Sequence, residues 1–174
     1  MRRRTLVATG LGMGAALAGI GIGLWLERPG SAEDAEAADV WNLKLPRPGG
    51  GEWSFSEWRG RPLLLNFWAT WCPPCVTEMP LLARFYRERR ASGWQVVGIA
   101  IDQEKPVQAF VEARGIDFPI ALGGARGLAL SQALGNTAGG LPFTVVFGSD
   151  ARPRARKLGA LDEALLEKWS VALE

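Results

Sequence analysis

The chain has 174 residues, 48% of them hydrophobic, which is enough for one domain with a buried core. Its net charge of +2 comes from arginines near the N-terminus, and the nearly neutral remainder argues against nucleic acid as the main partner. The sequence contains no histidine, which excludes the usual general base and any histidine ligation of a metal or haem.

Residues 1–28 begin with an arginine cluster and continue as an uncharged apolar run from Thr5 to Leu26. A run of this length can cross a bilayer, which requires ~20 apolar residues. The arginines are expected to stay in the cytoplasm, so the rest of the chain would be exported. A cleaved signal peptide is the alternative, because small residues between positions 31 and 37 offer cleavage sites. The length of the run favours an uncleaved membrane anchor.

Residues 29–39 are rich in proline, glycine, alanine and acidic residues and show no periodic pattern of apolar residues. Such a composition is typical of a linker. From Val40 onward the pattern is that of one folded domain. We therefore expect an anchor or signal segment over 1–28, a linker over 29–39 and a single domain over 40–174.

Strands are predicted throughout this domain. Two short pieces with alternating apolar residues around Pro46 to Gly51 predict an N-terminal β-hairpin. The continuous apolar runs PLLLNFW and WQVVGIAI predict strands that are buried on both faces. FPIALGG predicts a short strand, and PFTVVF and RARKLGAL predict an antiparallel hairpin around the turn Gly-Ser-Asp-Ala.

Helices are predicted for four segments, which are VTEMPLLARFYRERR, KPVQAFVEARG, GLALSQALG and LDEALLEKWSVAL. Gly115 is expected to end the second helix and Asp162 to cap the last. The alternation of strands and helices predicts an α/β fold with a central sheet flanked by helices on both faces. The final antiparallel hairpin makes that sheet mixed.

Cys72 and Cys75 are the only cysteines, and Pro73 and Pro74 separate them at the end of a predicted buried strand. A structural zinc ion needs four ligands, and the chain has no further cysteine or histidine. Haem attachment needs a histidine after the second cysteine, where Val76 stands. A static disulfide in so short a loop would stabilise little. At helical spacing the two Cα atoms lie ~5–6 Å apart, so the pair fits redox chemistry best.

The two prolines suit the first turn of a helix, where amide protons have no intrahelical acceptor. They are predicted to hold Cys72 at the positive end of that helix, which stabilises a thiolate. We predict that Cys72 is the nucleophile and that Cys75 is the shielded thiol that resolves a mixed disulfide. The prolines also remove two possible amide donors to the Cys72 sulfur, which predicts a more reducing pair.

A metal-binding or delivery module is the alternative function, because two thiols can hold a soft ion such as Cu(I). Met79 is the one residue beside the motif that could add a ligand. We assign no metal site and no cofactor from the sequence.

The run NFWATWCPPC, followed by Glu78-Met79-Pro80 and later by Gly140-Leu141-Pro142, resembles the membrane-anchored TlpA/ResA/DsbE (CcmG) group over about residues 40–174. The resemblance implies a thioredoxin-like fold with an added N-terminal hairpin. It implies a thiol–disulfide oxidoreductase that reduces exported client proteins, often in cytochrome c maturation. A transmembrane electron donor would re-reduce it. The protein would be held at a bacterial inner membrane with its domain facing the periplasm, or would be exported and soluble if residues 1–28 are cleaved. We expect a monomer.

The resemblance also implies roles for residues around the thiols. Pro142 is expected to be a cis-proline that faces the redox pair, and the backbone of Leu141 to bind the client. Trp71, together with Trp68, flanks the thiols and could form an apolar docking surface.

Glu78 stands one helical turn after Cys75. In the group, an acid at this position lies near the thiols and takes part in their proton transfer. The residues alone also allow a solvated glutamate, favoured by the helix dipole. Asn66 stands where ordinary thioredoxins have a buried aspartate, so proton transfer from Cys75 would have to use Glu78 or water.

Overall fold

The computed structural model describes residues 40–172. The predicted anchor or signal segment and the linker lie outside the described residues. Within the described range, no helix is both long enough and apolar enough to cross a membrane.

The sheet strands and the helices follow the order that the sequence predicts. The strands in the described range are β1 (Lys44–Pro46), β2 (Glu52–Ser54), β3 (Leu63–Trp68), β4 (Gln95–Ala100), β5 (Ile120–Leu122), β6 (Phe143–Phe147) and β7 (Pro153–Leu158). The α-helices there are α1 (Pro73–Arg89), α2 (Glu104–Arg114), α3 (Gly124–Ala133) and α4 (Glu163–Ala172).

The central sheet has the strand order β5-β4-β3-β6-β7. Strands β3, β4 and β5 are parallel, whereas β6 is antiparallel to β3 and β7 is antiparallel to β6. Strands β1 and β2 form a separate antiparallel hairpin. The predicted hairpin and the mixed, helix-flanked sheet are therefore confirmed.

Helix ends also follow the predicted signals. The residue after α2 is Gly115, whose φ of 59° lies in the left-handed region that glycine adopts without strain. At the start of α4, Asp162 Oδ1 accepts a hydrogen bond of 2.8 Å from the Leu165 amide. This is the N-cap interaction that satisfies a free amide of the first turn.

One face of the sheet packs under helices α1, α2 and α4. Alternate residues of β3, namely Leu64 and Trp68, belong to this layer, and both cysteines lie in it with Met79 and Leu82 of α1. The cysteine pair is therefore built into a hydrophobic core.

The other face of the sheet is covered by α3 and by the segment before β3. Leu63, Leu65 and Phe67 point to this side and pack with residues between positions 40 and 58, including Val40 and Phe55. Helix α3 comes close because Gly127 has no side chain: a Cβ there would lie 2.9 Å from the Ile99 Cγ2 atom.

The two edges of the sheet differ. At the β5 edge, the Trp53 indole of the hairpin donates a hydrogen bond of 3.0 Å to the Ile120 carbonyl. At the β7 edge, the strand exposes charged side chains, among them Arg154, Arg156 and Lys157. Leu158, the last residue of β7, is an exposed apolar side chain.

The segment of residues 40–58 should contribute strongly to stability, because Phe55 is fully buried. Its ring lies 5.1 Å from that of Trp58 in an edge-to-face contact. We expect Phe55→Ala to lower the free energy of unfolding by about 3–5 kcal/mol, as measured by urea denaturation. The exposed Val171→Ala is the control and should stay within about 0.5 kcal/mol of the unsubstituted protein. Equal effects of the two substitutions would show that the segment does not unfold together with the sheet.

Candidate functional site

The site is centred on the turn between β3 and α1. Cys72 and Cys75 form a disulfide with their Cα atoms 5.3 Å apart. Cys72 is the N-cap of α1, and its sulfur accepts a hydrogen bond of 3.3 Å from the Cys75 amide. Pro73 and Pro74 occupy the first two helical positions, as predicted. The first turn therefore offers the sulfur one amide donor where a helix without prolines would offer two. The expectation that both prolines remove such a donor is wrong, because Pro73 occupies the first helical position, whose amide does not reach the N-cap side chain.

The two cysteine residues differ in burial. Cys75 is fully buried, whereas Cys72 retains 5% exposure. Cys72 is thus the more exposed of the two cysteines. This difference supports the predicted order of attack without testing it.

Asp102 anchors the turn that carries Cys72. Its Oδ2 atom accepts hydrogen bonds from the Thr70 amide at 2.9 Å and from the Thr70 hydroxyl at 2.5 Å, and Oδ1 accepts from the Gln103 amide at 2.7 Å. Asp102 follows β4, so the neighbouring strand fixes the loop two residues before Cys72. Sequence reasoning missed Asp102, because a polar residue after a strand carries no signal of a partner 32 residues away.

The two tryptophans that flank the motif have different environments. Trp71 is 65% exposed, whereas Trp68 is fully buried and its ring packs 5.2 Å from that of Phe110. The hypothesis that Trp68 belongs to a docking surface is therefore wrong, because it lies in the helix-covered side of β3. Trp71 remains available and lines a cavity of about 390 Å³ with residues such as Gln103 and Leu128.

The Leu141–Pro142 peptide bond is cis, as the resemblance implies. Pro142 is buried and Leu141 is partly exposed, and Leu141 packs against the hydrophobic cluster that contains both cysteines. Pairing of Phe143 with Phe67 puts the start of β6 beside the end of β3. The structure thus brings Leu141 and Pro142 to the same end of the sheet as the two cysteines.

Glu78 is buried, with 3% exposure, although it lies in the first turns of α1. Its Oε1 atom accepts a hydrogen bond of 2.8 Å from Asn66 Nδ2, and its Oε2 atom accepts one of 2.8 Å from the Leu161 amide. Asn66 Nδ2 also donates to Thr144 Oγ1 at 3.0 Å. The solvated alternative for Glu78 is therefore wrong, and the side chain connects α1 to β3 and to the loop before α4.

Burial raises the pKa of Glu78 above its usual value of 4.5, although the hydrogen bonds from Leu161 and Asn66 oppose this effect. Desolvation is the largest effect on this carboxyl group, and it disfavours the charged form. The carboxylate is therefore a stronger base than an exposed glutamate.

Other ionisable groups do not form a metal site here. Within residues 40–172, no cluster of three or more cysteine, aspartate or glutamate side chains could hold a metal ion. At the described site, the cysteine pair is therefore the group that can react.

The chain is similar in sequence to known thiol-disulfide oxidoreductases. The curated relatives include the thiol-disulfide oxidoreductase ResA of Bacillus subtilis (strain 168), 32% identical over 94 residues, which cover 53% of this chain and 52% of that protein. ResA of Halalkalibacterium halodurans is 32% identical over 114 residues, covering 65% and 62% of the two chains. This chain therefore matches about half to three fifths of the length of these relatives.

Solved structures show the same fold. A DsbF homologue from Corynebacterium diphtheriae superposes with a TM-score of 0.68 and 27% identity, over 77% of this chain and 85% of its own. A secreted thiol-disulfide isomerase from Corynebacterium glutamicum superposes with a TM-score of 0.67 and 26% identity, over 76% and 81%. The fold is thus thioredoxin-like, with the hairpin β1–β2 added. Residues 33–168, most of the chain, match the Redoxin family, and the protein therefore belongs to that family.

Proposed function

We propose that this protein is a thiol–disulfide oxidoreductase that exchanges disulfides with client proteins through Cys72 and Cys75. The observation that carries the proposal is the position of Cys72. Its sulfur caps the N-terminus of α1 and is bonded to Cys75, and the residue keeps slight exposure next to the exposed Trp71. A helix N-terminus stabilises the thiolate that such exchange requires.

In the reducing direction, the reaction starts from the dithiol form. The Cys72 thiolate attacks one sulfur of the client disulfide, and the other client sulfur leaves as a thiolate and takes up a proton. Cys75 then attacks the Cys72 sulfur, forms the intramolecular disulfide and releases the second client thiolate, which is protonated in turn. The enzyme dithiol is oxidised and the client disulfide is reduced by two electrons.

Glu78 is proposed to accept the proton that Cys75 loses before its attack. Glu78 follows Cys75 by one helical turn, a spacing that brings side chains of a helix together. Its raised pKa makes it a better proton acceptor than an exposed carboxylate. Asn66 cannot take this role, because an amide side chain does not titrate.

The client is proposed to bind along the surface next to the disulfide. Trp71 offers an exposed apolar ring, and the backbone at Leu141 offers hydrogen-bonding groups beside the cis-proline. Peptide backbone bonding of this kind gives affinity without restricting the client sequence.

The direction of electron flow and the partner proteins are also proposed. We infer that the protein acts as a reductant of exported proteins, with apocytochromes c as candidate clients and a transmembrane electron donor that restores the dithiol. The sequence of residues 1–28 and the similarity to a secreted thiol-disulfide isomerase support a location outside the cytoplasm. In an oxidising compartment, a reductant functions only if another protein supplies it with electrons.

The cysteine roles can be separated by substitution. Cys72→Ser should abolish exchange with a disulfide-containing protein such as insulin, because no nucleophile remains. Cys75→Ser should accumulate the mixed disulfide, because only the resolving step is lost; non-reducing gels and mass spectrometry detect it. Faster alkylation of Cys75 than of Cys72 in the reduced protein would reverse the assignment.

The prolines should set the redox potential through the amides that they lack. An N-cap side chain accepts hydrogen bonds from the second or third helical residue, which here are Pro74 and Cys75. Pro74→Ala would restore an amide donor to the Cys72 thiolate, lower the Cys72 pKa and make the pair more oxidising. A charge-assisted hydrogen bond contributes about 1.5–3 kcal/mol, so the rise should be at most about 30–60 mV.

Pro73→Ala is the matched control for this prediction. It also removes a proline ring, but its restored amide is at the first helical position, which does not reach the N-cap side chain. Equilibration with glutathione measures both potentials. Equal shifts in the two variants would mean that the prolines act through the stiffness of the turn.

Glu78 should make stability depend on pH. Because its pKa is raised on folding, the folded protein keeps a proton that the unfolded chain has released above pH 4.5. The contribution of Glu78 to stability is therefore complete below pH 4.5 and falls as the pH rises through the folded pKa. Glu78→Gln removes this titration, so over that interval the variant should gain stability relative to the unsubstituted protein. Urea unfolding at steps from pH 4 to 8 measures the difference, and a difference that does not vary with pH would contradict the raised pKa.

A further inference from the structure

The loop that presents Leu141 is long and has little regular structure. It joins the end of α3 to the start of β6 and contains Gly135, Gly139 and Gly140. Gly135 and Gly139 have φ values of 104° and 65°, in the left-handed region. Glycines give such a loop freedom, so its conformation must be fixed by contacts elsewhere.

Asn136 supplies these contacts from a buried position. Its backbone amide donates to the Ser131 carbonyl of α3 at 2.9 Å, and its carbonyl accepts from the Gly139 amide at 2.9 Å. Its side-chain Nδ2 donates to the Gly140 carbonyl at 2.9 Å and reaches Ser131 Oγ at 3.4 Å. A single side chain therefore connects α3 to the residue just before Leu141.

The hydrogen bond to the Gly140 carbonyl also orients Leu141. The Gly140 carbonyl and the Leu141 N–H belong to one planar trans peptide group, in which they point in opposite directions. Asn136 binds the carbonyl from the buried side, so the Leu141 N–H points away from it. Within residues 40–172, this N–H donates no hydrogen bond, which leaves it available.

A buried amide side chain is costly unless its hydrogen bonds are made. Asn136 Oδ1 has no hydrogen-bond partner among the described residues, so the side chain is not optimised for stability alone. An apolar residue would fill the space without an unpaired polar atom, but it could not hold the Gly140 carbonyl.

We propose that Asn136 is a positioning residue for client binding: it fixes the Gly140–Leu141 peptide group so that the Leu141 N–H can bind the client backbone. The inference rests on the proposed function. It assigns to Asn136 an effect on protein and peptide clients that small disulfides without a peptide backbone do not experience.

The test compares two substrates with the reduced full chain. Insulin provides a disulfide within a peptide backbone, and dithiobis(nitrobenzoate) provides a disulfide without one. Asn136→Ala should raise the KM for insulin about three- to tenfold, the effect of one lost hydrogen bond. Its rate constant with dithiobis(nitrobenzoate) should stay within about twofold of the unsubstituted value, because Cys72 is unchanged.

Ser170→Ala is the control. Ser170 is also a buried polar residue, but its hydroxyl donates to the Glu167 carbonyl at 2.9 Å within its own helix, α4. This variant should keep the unsubstituted KM for insulin. Asn136→Asp keeps the size of the side chain but replaces the Nδ2 donor with an acceptor, so its KM should rise as in the alanine variant.

The possible results distinguish a failure of this inference from a failure of the proposed function. An unsubstituted protein that reduces neither disulfide would overturn the proposed function, and this inference with it. If the unsubstituted protein reduces both, an unchanged KM in Asn136→Ala, or an equal loss with both substrates, would overturn the inference alone. Thermal unfolding is measured for each variant, and failure of both Asn136 variants to fold would also overturn it, because Asn136 would then be a core residue.

Discussion

The structure of the site depends on one buried carboxyl group. Glu78 accepts a hydrogen bond with each of its oxygens, from Asn66 on β3 and from the Leu161 amide before α4. Removing a carboxyl group from water is costly, and these two bonds offset part of that cost. Because Glu78 and Cys75 belong to the first turns of α1 and Cys72 is its N-cap, the same bonds set where the disulfide lies relative to the sheet.

Further contacts hold the other parts of the site in place. Asp102 fixes the turn before Cys72, and the prolines begin the helix directly after it. The sheet brings the cis-proline loop to the same end through the pairing of β6 with β3. Three separate parts of the chain, which are the turn before Cys72, α1 and the loop with the cis-proline, therefore lie at the same end of the sheet. Packing and hydrogen bonds of this kind keep the geometry of a site fixed.

The fold could be predicted because its signals are local. Continuous apolar runs gave β3 and β4, and Pro73 and Pro74 gave the start of α1. The environments of Glu78 and Trp71 could not be predicted, because no local pattern specifies them. The amide that binds Glu78 is 83 residues away, and the turn after β3 leaves Trp71 exposed, whereas Trp68 is buried as the last residue of a strand covered on both faces. A residue pattern does not specify such partners until the topology is known.

The edges of the sheet have a consequence for behaviour at high concentration. An open strand edge recruits strands of other chains and so promotes aggregation. Here the Trp53 indole occupies a carbonyl on the short strand β5, and charged side chains cover β7. A second copy that approached either edge would have to displace the indole or desolvate arginines. The sheet is thereby protected from edge-to-edge polymerisation, while Trp71 stays exposed at the end of the sheet that carries the disulfide.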